Sequence, residues 1–338
     1  MAAAQILLAG VVTVRSAIWK SNYPREIRGQ IVSRLQAIRS LVGVGAVQVA
    51  AAVSDRHPDA YRLVFPIAAL LGLIGLVFLT RARIRGEGRE LKRSATASGN
   101  HTRVVSLGSA ISPLNSLRQF VLLLRADRRF ANYCVAQFIQ GVANLMTISV
   151  AVALVTRHLE TPDGHGFWIS SALLIGLPIL CLLVSIRRWG RLFDGLGVLR
   201  FRVVNVLCQA MALSFGLAGT LAIAKSGSLG ASFYPLAVGL FAMRGIFHGL
   251  AQGGGTIAWN LGHLHFARPE LAEVYMGIHV SLAGVRGLIA PLGGMWLWTV
   301  IGWWIWPIAL ALTLLSILLY GLLAQSEKNG SVSAELAL

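Results

Sequence analysis

Charge is scarce in this chain, and acidic charge is the scarcest. Only 13% of the 338 residues are Asp, Glu, Lys or Arg, about half the share of an ordinary soluble domain. Hydrophobic residues make up 56%, and the mean hydropathy is +0.69. A water-soluble globule could not cover that much apolar surface, so the bilayer is the expected solvent. None of the thirteen acidic residues falls in the middle of an apolar run. That excludes a proton relay of buried carboxylates from those runs. Cysteine is rare as well. Cys134, Cys181 and Cys208 all sit inside apolar runs with no CxxC spacing, and they read as small buried residues rather than disulfides or metal ligands. His263 and His265 lack a third ligand, so no metal site is expected. Glu270 and Glu273, near Arg268 and Pro269, read as a solvated loop. There is no phosphate-cradling loop, nucleophile elbow or dinucleotide fingerprint, so neither an enzyme nor a cofactor is indicated.

What the chain does have is nine apolar runs. They are Ala3–Trp19, Ser33–Val53, Arg62–Leu79, Phe130–Val155, Phe167–Ile186, Phe201–Ala224, Phe233–Asn260, Tyr275–Val300 and Gly302–Leu323. Each is close to or above the length that spans a bilayer as a helix. Backbone groups in lipid must be satisfied within the segment, and the runs lack the alternation of barrel strands. The fold class is therefore all-α, a polytopic membrane bundle of about nine transmembrane helices. No basic region precedes the first run, so it reads as a membrane helix and not as a cleaved signal.

The net charge of +17 would suggest nucleic acid in a soluble protein. Its distribution gives a different reading. Twenty-three of the thirty Lys and Arg residues fall in the alternate loops Lys20–Arg39, Arg81–Arg129 and Arg187–Arg202, whose ends overlap the runs, in the loop after Asn260 and in the C-terminal tail, against four on the other side. The remaining three, Arg15, Arg244 and Arg286, lie within runs. By the positive-inside rule the C-terminus is cytoplasmic. Nine crossings then place the N-terminus outside. The expected location is the cell (plasma or inner) membrane, with lipid as the main partner and no nucleic acid. Arg15 lies close enough to Lys20 to snorkel toward the cytoplasmic side. The divisions are a three-helix bundle over 1–80, a basic linker over 81–129, a six-helix bundle over 130–324 and a tail over 325–338. Within the linker, Arg85–Arg103 reads as a flexible tether.

Intramembrane polar residues are the candidate functional groups, because they are costly to insert. Arg244, His248 and Gln252 recur every four residues and share a helix face. Gly253, Gly254 and Gly255 follow and permit close approach or local unwinding. His279 and Arg286 are seven apart and share a face. Pro291, Gly293 and Gly294 follow them as a kink signal. Tyr133, Gln137, Gln140 and Asn144 form a polar stripe. Two readings stay open for the arginines: a cationic site for an anionic or polar solute, or bonds to carbonyls that fix packing. The stripe is open in the same way, between a cavity wall and interhelical hydrogen bonds. Trp296, Trp298, Trp303, Trp304 and Trp306 look like an interfacial belt.

Three features resemble the major facilitator superfamily. Gly190-Arg191-Leu192-Phe193-Asp194, with Gly197 and Arg200, is similar to its G-x-L-x-D-R-x-G-R loop motif, with Gly195 where a basic residue is usual. Asn22-Tyr23-Pro24 with Arg28-Gly29 resembles the P-x-x-x-R-G turn after the family's fourth helix. The arrangement of three helices, a basic loop and six helices is what that fold would show without its first three helices. The resemblance implies a secondary transporter working by alternating access between two bundles. It places the candidate solute-binding residues Arg244, His248, Gln252, His279, Arg286, Gln137, Gln140 and Asn144 on cavity-lining helices. It makes Gly190, Asp194, Gly197 and Arg200 a conformational loop. Alternatives are a non-transporting relative that assists assembly or pigment delivery, or an incomplete transporter that needs a chain supplying the missing helices and does not transport alone.

Overall fold

The computed structural model describes residues 25–81, 113–159, 166–226, 233–267 and 272–335. The described residues are almost wholly helical and contain no strand. The first expected run, Arg15, Asn22–Pro24, the tether Arg85–Arg103 and Glu270 lie outside the described residues.

Six segments are long and apolar enough to cross a bilayer. Two of them, Trp168–Ala224 and Val274–Asn329, have 57 and 56 residues. As straight helices each would run about 85 Å, nearly three hydrocarbon thicknesses. Each is instead a pair of crossings that turns at a glycine with positive φ, Gly197 at 69° and Gly302 at 57°. Ring contacts show the chain doubling back at Gly197. Trp189 and Phe193 lie 5.4 and 5.1 Å from Phe201 between centroids, where a straight helix would separate them by about 18 and 12 Å. The chain is therefore a multi-pass helical membrane protein.

In chain order the helices are α1 (Arg25–Arg56), α2 (Tyr61–Thr80), α3 (Pro113–Ala126), α4 (Arg128–His158), α5 (Gly166–Ser171), α6 (Leu177–Ala224, two limbs about Gly197), α7 (Phe233–Leu261), α8 (Ala272–Ile301) and α9 (Ile305–Glu335). A π-turn, Ala172–Gly176, joins α5 to α6. Helix α7 packs mainly along α6, and α4 packs between α8 and α9. Small residues permit these approaches. A Cβ at Gly249 would strike the Pro178 backbone, one at Gly294 the Met146 backbone, and one at Gly216 the Trp306 ring.

Two large apolar cores result, with a smaller cluster of Trp189, Phe201 and Ala258 beside the Gly197 turn. One, toward the Gly302 turn, holds Val150, Leu154, Leu213, Phe241 and Trp306. The other, toward the Gly197 turn, holds Phe130, Tyr133, Val206, Tyr275 and Tyr320. Asp127 fixes the start of α4, where its Oδ1 accepts from the Phe130 amide at 2.9 Å. Its Oδ2 accepts from the Tyr275 hydroxyl at 2.7 Å, which ties α4 to α8.

Helix α3 falls inside the expected linker. Its Phe120, Leu123 and Leu124 dock on the second core, while Arg118, Val121, Leu122 and Arg125 face outward. Helix α9 runs through most of the expected tail. Helix α1 leans on α5 and the start of α6. There the Ser171 hydroxyl donates to Gln48 Oε1 at 3.2 Å, and the Trp168 amide donates to Asp55 Oδ2 at 3.0 Å. Helix α2 buries none of its spanning window.

Candidate intramembrane polar site

Arg202 was expected in a loop. The second limb of α6 instead carries it into the bundle, 3% exposed. Its guanidinium donates to the Tyr320 hydroxyl at 3.0 Å, to Gln140 Oε1 at 3.2 Å and to Asn205 Oδ1 at 3.3 Å. It also lies 5.1 Å from the centre of the Tyr320 ring. Asn205 in turn donates to the Ala251 carbonyl at 2.7 Å. One arginine thus links α4, α6 and α9, and through Asn205 it reaches α7. A charge so deep is tolerable only with several acceptors of this kind.

His279 and Arg286 share a face of α8, and both meet α4. Gln137 Nε2 donates to His279 Nε2 at 3.3 Å. Arg286 donates to the Gln137 carbonyl at 2.9 Å, and its guanidinium lies over Gly141, where a Cβ would overlap it. The Trp259 ring covers both, 4.1 Å from the His279 ring and 5.8 Å from the Arg286 guanidinium. His263 stacks beyond His279 at 6.3 Å. Among the described residues no carboxylate pairs with Arg202, Arg244 or Arg286. Of the α4 stripe, Gln137 and Gln140 make interhelical bonds. The Asn144 Oδ1 and Tyr133 hydroxyl have no hydrogen-bond partner among the described residues.

Arg244 sits apart, near the first core. It is 4% exposed and makes no hydrogen bond among the described residues. Its guanidinium carbon lies 5.9 Å from the centre of the Trp306 ring. One turn on, His248 is 7% exposed, and its Nε2 accepts from Gln252 at 3.3 Å. Gln252 itself is exposed, on the open face of α7. The glycines after it keep the helix unbroken and serve close packing. Gly253 lies against Ser185 and Trp189, and Gly254 against Trp189 and Asn205.

The loop-motif residues gather at the Gly197 turn. Asp194 and Arg200 are exposed, and Gly190 is half-buried. Gly197 and Arg200 border a cleft of about 300 Å³ shared with His265, Glu327 and Lys328. His265 and Glu327 pair across it at 2.9 Å. The tryptophan belt divides. Trp296 and Trp304 are well exposed, whereas Trp306 is fully buried. All three cysteines are free, and only Cys134 is fully buried.

Arg202, Asn205 and Tyr320 are the residues that sequence reasoning passed over. The signal was present. Arg202, Asn205 and Gln209 follow helical 3–4 spacing and are all buried, but the cations just upstream made Arg202 read as one more loop charge. No family model matches this chain, and no curated protein matches it.

Proposed function

We propose that the chain is a secondary transporter of the major facilitator type, moving a small polar or anionic solute by alternating access. The single observation that supports this most is the set of three intramembrane arginines, Arg202, Arg244 and Arg286, none of which pairs with a carboxylate among the described residues. Positive charge at membrane depth without a carboxylate counter-charge favours an anion as a further partner. Gln252 on α7 is exposed, and Trp259 on α7 and Arg286 on α8 are half-buried, so these polar groups are not sealed in the core. The proposed location is the plasma or inner membrane with the C-terminus in the cytoplasm, on the strength of the lopsided Lys and Arg distribution. The full exposure of α2 supports a further element of the reading: additional helices, or a companion chain, cover α1 and α2 and complete the front of the pathway.

The test is anion uptake into membrane vesicles from cells that make the chain and from cells deleted for it. Saturable uptake of a small carboxylate or inorganic phosphate only in the first set is the expected result. Equal uptake in both sets, with the protein present and folded, sinks the reading. Co-purification from the same membranes shows whether a companion chain travels with it.

A further inference from the structure

The three arginines are not equivalent. Arg202 and Arg286 have their charge answered by protein acceptors: a hydroxyl, two amide oxygens and a backbone carbonyl. Arg244 has none, although it is the more deeply buried of the two arginines that the sequence singled out. Two neighbours share its condition. The indole Nε1 of Trp306, whose ring lies 5.9 Å from the Arg244 guanidinium, is buried without a partner among the described residues. So is Nδ1 of His248, one helical turn from Arg244. The tautomer of His248 follows from its other bond. Gln252 donates to Nε2, so the ring proton is on Nδ1 and that atom is a donor.

Arg244 and two side chains next to it therefore each carry an orphaned donor: a guanidinium Nε–H, an indole N–H on the ring 5.9 Å from the guanidinium, and an imidazole Nδ1–H one helical turn along α7. Packed interiors leave few buried polar atoms unpaired. Three on neighbouring side chains, all of one hydrogen-bonding sense and one of them cationic, are complementary to a single kind of guest. The geometry points to an oxyanion site between α7 and the start of α9, where a carboxylate or phosphate oxygen accepts from Arg244, His248 and Trp306. This deepens the transport reading and rests on it for the direction of travel, though not for the binding itself. The site is separate from the Trp259–Arg286 group. Arg244 and Trp259 are fifteen residues apart on one helix, about 22 Å, so an anion crossing the bundle meets two cationic stations, an open one and an occluded one.

The test uses the full chain in lipid nanodiscs and follows thermal unfolding with inorganic phosphate, acetate, succinate or chloride added. Expected results are a rise in Tm with at least one oxyanion and none with chloride. In Arg244→Met that rise disappears, while the Tm without anion goes up, because an uncompensated buried charge is gone. Trp306→Phe keeps the aromatic packing and removes one N–H. It weakens the apparent oxyanion affinity about tenfold or more, the loss of one charge-assisted hydrogen bond. Arg62→Gln, an exposed cation on α2, leaves the shift unchanged. An oxyanion shift that survives Arg244→Met, or no shift with any oxyanion in the unaltered chain, overturns the proposal. Vesicle uptake separates the two readings. Binding without transport removes the transporter reading and leaves the site standing. Transport with unaltered oxyanion dependence in Arg244→Met does the reverse.

Discussion

Helices α2 and α4 are built from equally apolar sequence and meet opposite fates. The spanning window of α2 is 0% buried, and that of the α4 segment is 44% buried. Hydropathy does not tell them apart, since lipid tails and protein interiors are alike to a leucine. The difference lies in the minority residues. Helix α4 carries Tyr133, Gln137, Gln140, Gly141 and Thr147 along its buried side, which offer hydrogen bonds and close approach. Beyond Tyr61 and Arg62 at its start, the spanning part of α2 has no polar residue. Its Gly72 and Gly75 face open space, and Phe65, Leu71 and Phe78 are all more than 60% exposed. Polar and small residues, rather than greasy ones, decide which membrane helices find each other here.

Substitutions can sharpen or break that comparison. The largest effect is expected from Arg202→Met. It strands Gln140, Asn205 and Tyr320 in the core and costs about 3 kcal/mol or more, read from denaturant unfolding in mixed micelles. Gly249→Leu comes next, because a side chain there meets the Pro178 backbone. The loss is about 2 kcal/mol, with α7 separating from α6 in cross-linking between engineered cysteines. Asp127→Ala removes the cap of α4 and its tie to Tyr275 and should cost about 1 kcal/mol, seen as a lower Tm. Gln48→Leu cuts one bond between α1 and α5, worth about 0.6 kcal/mol. Its signature is faster proteolysis of the segment between α1 and α3 with little change in bundle Tm. At the bottom of the series, Phe65→Ala on α2 should change bundle stability by less than about 0.5 kcal/mol. A large loss there would mean that α2 is packed against protein after all, and the contrast with α4 would fail.

The class of fold was legible in the sequence because bilayer thickness imposes a length on every apolar run. The runs from residue 33 onward correspond to described helices, although several helices extend past the apolar boundary into charged sequence, as α1 does through Arg25, Glu26 and Arg28. The shared faces of Arg244 with His248 and Gln252, and of His279 with Arg286, were legible from 3.6-residue periodicity. The partners on other helices were not. Nothing in the local pattern says that Arg286 will reach the Gln137 carbonyl, or that Trp306 will leave the aromatic belt and lie under Gly216. Those depend on which faces meet, and that is set by glycines read only as a permission. Arg202 was lost for a different reason. Charge counting treats every cation near a turn as solvated, and five residues beyond Gly197 the helix has already entered the core.

The hydrogen bonds that tie α1 to α5 through Gln48 and Asp55 lie within two turns of each other on a helix about 48 Å long. In mechanical terms this is a pin at one end of a lever. Rotation by about 10° about the pin carries the far end of α1 through about 6 Å, roughly one helical pitch. The pinned end moves by less than the length of a hydrogen bond.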